Sequence, residues 1–127
     1  MKKLARIATT SIATLEPFSP PYNLSEPNPG ETFARGLALV DAAGAQHADL
    51  VCLPETFAAA GLPSSRIAEV AEPIDGPSFA ALSERARANN VNLVAGAFLK
   101  RQGRIENVAV LFGRDGELIG TYAKRHP

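Results

Sequence analysis

Four consecutive apolar residues, Leu50-Val51-Cys52-Leu53, are closed by Pro54 and followed at once by a carboxylate, Glu55. An uninterrupted apolar run of this length reads as a strand buried on both faces, which only a layered fold provides. The residues before it tighten that constraint. From Glu31 to His47, Phe33, Leu37, Val40 and Ala43 recur at helical intervals and predict an amphipathic helix over that range. Gly36 and Gly44 weaken its intrinsic propensity by about 1 kcal/mol each. Leu4 to Ala13, rich in Ile, Thr and Ala, reads as a first strand, and the proline-laden stretch from Pro17 to Pro29 as a loop. Strand, loop, helix and strand in that order form a crossover unit of an α/β sheet.

Downstream, residues 56 to 77 carry Gly61, Pro63, Pro73, Gly76 and Pro77 and read as a loop with short helical pieces. A second helix is expected from Ser78 to Asn89, capped by Ser78, with Phe79, Leu82 and Ala86 inward and Asn89-Asn90 at its end. Three strands come next, Val91 to Leu99, Ile105 to Phe112 and Glu117 to Ala123. They are joined by the glycine-containing turns Lys100–Arg104 and Arg114–Gly116. The class is α/β with a mixed sheet and outer helices. Its 127 residues make one domain at most.

Thirteen Lys and Arg balance thirteen Asp and Glu. Without a basic surplus, neither nucleic acid nor an anionic membrane is an expected partner. A single cysteine, Cys52, excludes an internal disulfide, and His47, His126 and Cys52 lack zinc-ligand spacing. Neither a metal nor another cofactor is expected. No apolar run reaches the roughly 20 residues of a membrane span. Met1-Lys2-Lys3-Leu4 begins like a signal peptide, but Arg6, Thr9, Thr10, Ser11 and Thr14 interrupt any apolar core, so a cytoplasmic protein is expected.

Chemistry has two candidate locations. Glu55 follows the carboxyl end of a strand, where sites gather in layered α/β proteins. Desolvation among apolar neighbours would raise its pKa toward that of a general base; the plainer alternative is the start of a solvated loop. Strand alternation groups Glu55 with Val51 and Leu53, and Cys52 with Leu50. The tail Gly120-Thr121-Tyr122-Ala123-Lys124-Arg125-His126 places Leu118, Gly120, Tyr122 and Lys124 on one face. Lys124 is either an oxyanion-stabilising cation or solubilising charge. No Gly-x-Gly-x-x-Gly or Walker loop follows a strand, which disfavours a nucleotide-binding domain.

Taken in order, these segments resemble the nitrilase superfamily of carbon–nitrogen hydrolases. The resemblance rests on Leu4–Ala8, Ala48–Glu55, Glu72–Pro77, Asn92–Gly96 and Glu106–Phe112, running on through Asp115-Gly116 to Gly120–His126. It implies the N-terminal part of one αββα hydrolase domain over residues 1–127, homo-oligomeric when full length, acting without a cofactor on a small amide, nitrile or carbamoyl compound. It further implies a Glu-Lys-Cys triad in which Glu55 is the general base and acid and Lys124 the oxyanion-stabilising cation. The nucleophilic cysteine of the family follows that lysine, beyond a further strand, and this chain does not contain it. Cys52 lies inside an apolar strand, where a thiol behaves as a small hydrophobe, and is read as structural. The residues alone are therefore expected to be inactive; the alternative is a binding or regulatory module that keeps the fold without the chemistry. Asn107 either braces the site or satisfies backbone groups at a strand start, and the resemblance favours bracing. Phe57 and the Ala58–Gly61 loop are expected to line the acyl pocket. His47, near a helix end, is assigned no function.

Overall fold

A computed structural model describes residues 4–10 and 28–126. One five-stranded sheet runs in the order β1 (Ile7–Thr9), β2 (Leu50–Cys52), β3 (Asn92–Arg101), β4 (Arg104–Phe112), β5 (Leu118–Ala123). The first three strands are mutually parallel, and β3, β4 and β5 form an antiparallel meander. The mixed sheet follows from the connections. Parallel neighbours need a crossover, supplied by α1 (Pro29–Ala45) and α2 (Pro77–Asn89), whereas tight turns close the meander. The first strand is shorter than expected; residues 11–13 of that expectation, and most of the Pro17–Pro29 loop, lie outside the described residues.

Asn28 caps α1, its side-chain oxygen accepting the Glu31 N–H at 3.1 Å, and Pro29 occupies the first turn, where its missing N–H costs nothing. The helix ends two residues before His47, which adopts a left-handed conformation (φ 57°) in the adjoining turn. Val40 and Ala43 are buried with Phe33 and Leu37 packed at the margin, as the periodicity predicts. The two glycines have a packing reason. A Cβ on Gly36 would strike the Phe57 ring, and one on Gly44 would strike Asn89 of α2.

The second helix corrects the expected cap. Gly76, not Ser78, is the N-cap residue, and it brings no side chain. Glu72, six residues upstream of Ser78, substitutes: its carboxylate accepts the Ser78 N–H at 2.8 Å and the Ser78 hydroxyl at 2.7 Å. Asn90 ends the helix in the left-handed region (φ 53°), a conformation asparagine tolerates.

Alternation divides the sheet. Leu93, Ala95 and Leu99 of β3 are buried with Val108, Val110 and Phe112 of β4 against Val40 of α1 and Phe79, Leu82 and Ala86 of α2. On the opposite face Leu50, Cys52, Val94, Phe98 and Leu111 are only half-buried, and Tyr122 of β5 is 62% exposed. The described residues thus make one sheet with helices on one side. At the amino end of β2, Asp49 ties four segments together. It accepts the Arg6 N–H at 2.9 Å and Arg114 Nη2 at 2.6 Å, while Arg114 Nη1 donates to the Asn90 carbonyl at 2.7 Å and Asn92 Nδ2 to the Asp49 carbonyl at 3.0 Å. The Arg6 N–H first, then the Arg114 guanidinium, hold the Asp49 carboxyl below the usual carboxylate range.

Candidate active site

The carboxyl end of β2 delivers Glu55 to a cluster it shares with the antiparallel half. After β2 the chain stays beside β3 for one more hydrogen bond, from the Leu53 N–H to the Val94 carbonyl at 2.9 Å. It then crosses β3 at Gly96. An ideal Cβ on that glycine would lie 2.5 Å from the Thr56 nitrogen and 2.8 Å from Glu55 Cα, so only glycine leaves room for the crossing. Thr56 itself sits at φ 43°, a conformation that a β-branched residue adopts only when its surroundings impose it.

Register brings the partners in. Asn107 of β4 lies opposite Phe98 of β3, and beyond the last β4–β5 pair the Lys124 N–H donates to the Asn107 carbonyl at 2.8 Å. Residues directly opposite in an antiparallel ladder share a face, so the Asn107 and Lys124 side chains project together, away from the helices. Both reach one atom. Lys124 Nζ donates to Glu55 Oε1 at 2.8 Å, and Asn107 Nδ2 donates to the same oxygen at 2.9 Å. The expected grouping of Glu55 with Val51 and Leu53 is therefore wrong. Those two side chains enter the helix-side core, while the Glu55 carboxylate meets groups of the other face. Alternation lapses where β2 ends, and the turn at Thr56 redirects the chain.

The expected pKa direction of Glu55 is corrected as well. The Lys124 hydrogen bond, then that of Asn107, then the Lys124 charge hold the carboxyl below its ordinary range. Burial opposes them weakly, since the Glu55 side chain is 60% exposed. Glu55 is thus the ionised partner of an ammonium ion rather than a desolvated acid. Along β5 the expected common face holds from Gly120 to Lys124, but a bulge makes Leu118 the partner of Phe112.

Cys52 is half-buried within β2 and takes no part in the cluster. Phe57 does not open onto it either. Its ring is 2% exposed, stacks on Phe33 at a centroid distance of 5.6 Å, and belongs to the helix-side core. Phe57, Ala58 and Ala59 do line a small apolar crevice, walled by Thr56, Gly96 and Phe98 on one side and Phe79 and Leu82 of α2 on the other, and neither Glu55 nor Lys124 is among its lining residues. Among the described residues no three metal-capable side chains converge, and no helix is long and apolar enough to cross a membrane.

The layered α/β fold of the described residues is that of the carbon–nitrogen hydrolases. The model of the carbon-nitrogen hydrolase family fits residues 11–127, and the chain belongs to that family. The chain is 35% identical over 97 residues to an omega-amidase, NIT2, from Danio rerio, covering 76% of this chain and 35% of that protein. It is 32% identical over 101 residues to a nitrilase from Paraburkholderia phymatum, covering 69% of this chain and 30% of the other. The fold superposes with a TM-score of 0.68 and 30% identity on a CN-hydrolase superfamily protein from Xanthomonas campestris, whose crystal structure carries an arsenic adduct in its active site. That likeness covers 79% of this chain and 36% of that one. The chain accordingly spans about a third of the length of these relatives.

Proposed function

We propose that these residues supply the proton carrier and the oxyanion-stabilising cation for hydrolysis of a non-peptide carbon–nitrogen bond in a small amide, nitrile or carbamoyl compound. The observation that carries the reading is the 2.8 Å contact between Lys124 Nζ and Glu55 Oε1, made by residues 69 positions apart. A cysteine contributed by residues beyond these 127 completes the triad. For an amide, its thiol proton passes to Glu55 as sulfur bonds to the carbonyl carbon, and the carbonyl π electrons move onto oxygen. The Lys124 ammonium stabilises that oxyanion. Collapse of the tetrahedral species breaks the carbon–nitrogen bond, and Glu55 returns its proton to the departing amine. Water then attacks the thioester, giving a proton to Glu55, and the thiolate leaves and is reprotonated. A Glu55 held ionised by Lys124 and Asn107 suits the first step, which needs an acceptor. No cofactor enters this sequence. The reading extends to a cytoplasmic, homo-oligomeric hydrolase.

Ammonia release from amides and nitriles tests the proposal. The 127 residues alone are expected to release none, and release that survives Cys52→Ala would overturn this account. In a cysteine-complete protein, Glu55→Gln or Lys124→Met is expected to lower kcat by about 10²–10⁴-fold. One observation favours a second reading, a non-catalytic binding or regulatory module: Cys52 is the chain's only cysteine and stands apart from Glu55 and Lys124. Coding DNA read past Pro127 separates the two. A further strand ending in cysteine supports the hydrolase, and a stop codon supports the module.

A further inference from the structure

Two donors converge on Glu55 Oε1, and among the described residues none reaches Oε2. The two carboxylate oxygens are therefore inequivalent before any substrate arrives. From this the geometry points to Asn107 as the positioning residue that fixes the Glu55 carboxylate through Oε1, leaving Oε2 as the oxygen that exchanges protons. The inference rests on the hydrolase reading for what Oε2 does, but not for how the carboxylate is held.

Asn107 suits this task in a way Lys124 does not. A lysine ammonium is a point charge on a flexible stem that follows a carboxylate through several rotamers, whereas an amide N–H on a short side chain donates along one direction. Asn107 also binds the cluster twice. Its side chain holds Glu55 at 2.9 Å, and its carbonyl accepts the Lys124 N–H at 2.8 Å, so one residue registers both members of the pair. That carbonyl bond survives any substitution of the side chain, which separates positioning of Glu55 from placement of the Lys124 backbone. The surroundings add no competing charge. The segment crosses β3 at a glycine, β4 presents the neutral amide, and among the described residues the charge acting on Glu55 is that of Lys124 at the end of β5.

The experiment is a carboxyl ¹³C titration of Glu55 in the 127-residue chain, comparing wild type with Asn107→Leu and Asn107→Asp. Leucine keeps the approximate volume and removes the donor; aspartate keeps the shape and, once ionised, offers none. The Glu55 midpoint is expected to rise in both, because each loses a donor that favours the ionised form. Side-chain couplings of Glu55 are expected to become rotamer-averaged. Dispersed amide spectra establish that each variant is folded, and aspartate serves if leucine fails. An unmoved midpoint and unaveraged couplings in a folded variant overturn the inference. In a cysteine-complete hydrolase, Asn107→Leu is expected to lower kcat about 10–100-fold with KM unchanged and to shift the acid limb of the pH profile upward. A rise in KM with the acid limb fixed would make Asn107 a binding residue and overturn the inference. A moved Glu55 midpoint in a protein that hydrolyses no carbon–nitrogen bond would instead leave Asn107's role standing and remove the hydrolase reading.

Discussion

Replacing Gly96 by alanine isolates the one place where the backbone of the site leans on the sheet. The added Cβ would lie 2.5 Å from the Thr56 nitrogen and 2.8 Å from Glu55 Cα, both main-chain atoms. No flexible side chain is available to yield. To reach an ordinary contact of 3.4 Å the crossing segment must retreat by about 0.9 Å, or β3 must bow by the same amount. Alanine gains about 0.5–1 kcal/mol over glycine in a strand from lost unfolded-state freedom. Overpacking of this kind costs about 1–3 kcal/mol. The steric effect is the larger, and Gly96→Ala is expected to lose up to about 2.5 kcal/mol net in urea unfolding followed by far-UV circular dichroism. The same retreat is large beside hydrogen bonds of 2.8 and 2.9 Å, so the Glu55 carboxyl midpoint should rise alongside the loss of stability. A variant as stable as wild type, with an unshifted Glu55 midpoint, refutes the close crossing as the determinant of Glu55 placement.

Four further substitutions probe other features of the fold and site. Glu72→Ala strips α2 of its borrowed cap and should cost about 0.5–2 kcal/mol in urea, more than Ser78→Ala, since the latter keeps the 2.8 Å bond to the Ser78 N–H. Equal losses would show that the hydroxyl, not the helix end, is what Glu72 serves. Thr56→Gly relieves the left-handed strain and should leave stability level or raise it by about 1 kcal/mol, while the Glu55 side chain becomes more mobile in NMR relaxation; a clear destabilisation would contradict the strain assignment. Asp49 is depressed when folded, so its contribution is complete above about pH 4 and is lost as pH falls through the depressed value. Asp49→Asn should therefore be less stable than wild type at pH 7 and lose less between pH 7 and pH 3; parallel pH profiles would count against the Arg6–Asp49–Arg114 tie.

Legibility in the sequence tracks physical range. The inward faces of both helices are legible because a 3.6-residue period is a local property, and Val40, Ala43, Phe79, Leu82 and Ala86 are buried as expected. The hairpin turn is legible at Gln102-Gly103, where both residues take positive φ between Arg101 and Arg104. The cap of α2 is not, because the true partner, Glu72, lies upstream in a proline-bounded loop, outside any capping template. Glu55 stands out through its position after a strand and through family resemblance, but its face and its pKa direction are not readable. Both depend on Asn107 and Lys124, 52 and 69 residues downstream, and on a turn at Thr56 that no alternation pattern encodes. Asn107 stands out only through the family resemblance that favours bracing; by itself it carries the weak signal of a polar residue within a strand.

The split of the sheet into a parallel and an antiparallel half also sets an order of assembly. β3, β4 and β5 are sequential neighbours joined by tight turns, so their ladders close short loops. Ile7 and Leu50, by contrast, must meet across 43 residues of chain before β1 and β2 can pair. The meander that aligns Asn107 with Lys124 is thus expected to fold first, with the crossover segment that ends in Glu55 docking onto it afterward, an order that pulse-labelled hydrogen exchange reads directly. The carboxylate–ammonium contact is then expected to be a late event in folding. It forms when the slow half of the sheet has joined the fast half, and the pair that would do the chemistry doubles as the seam between them.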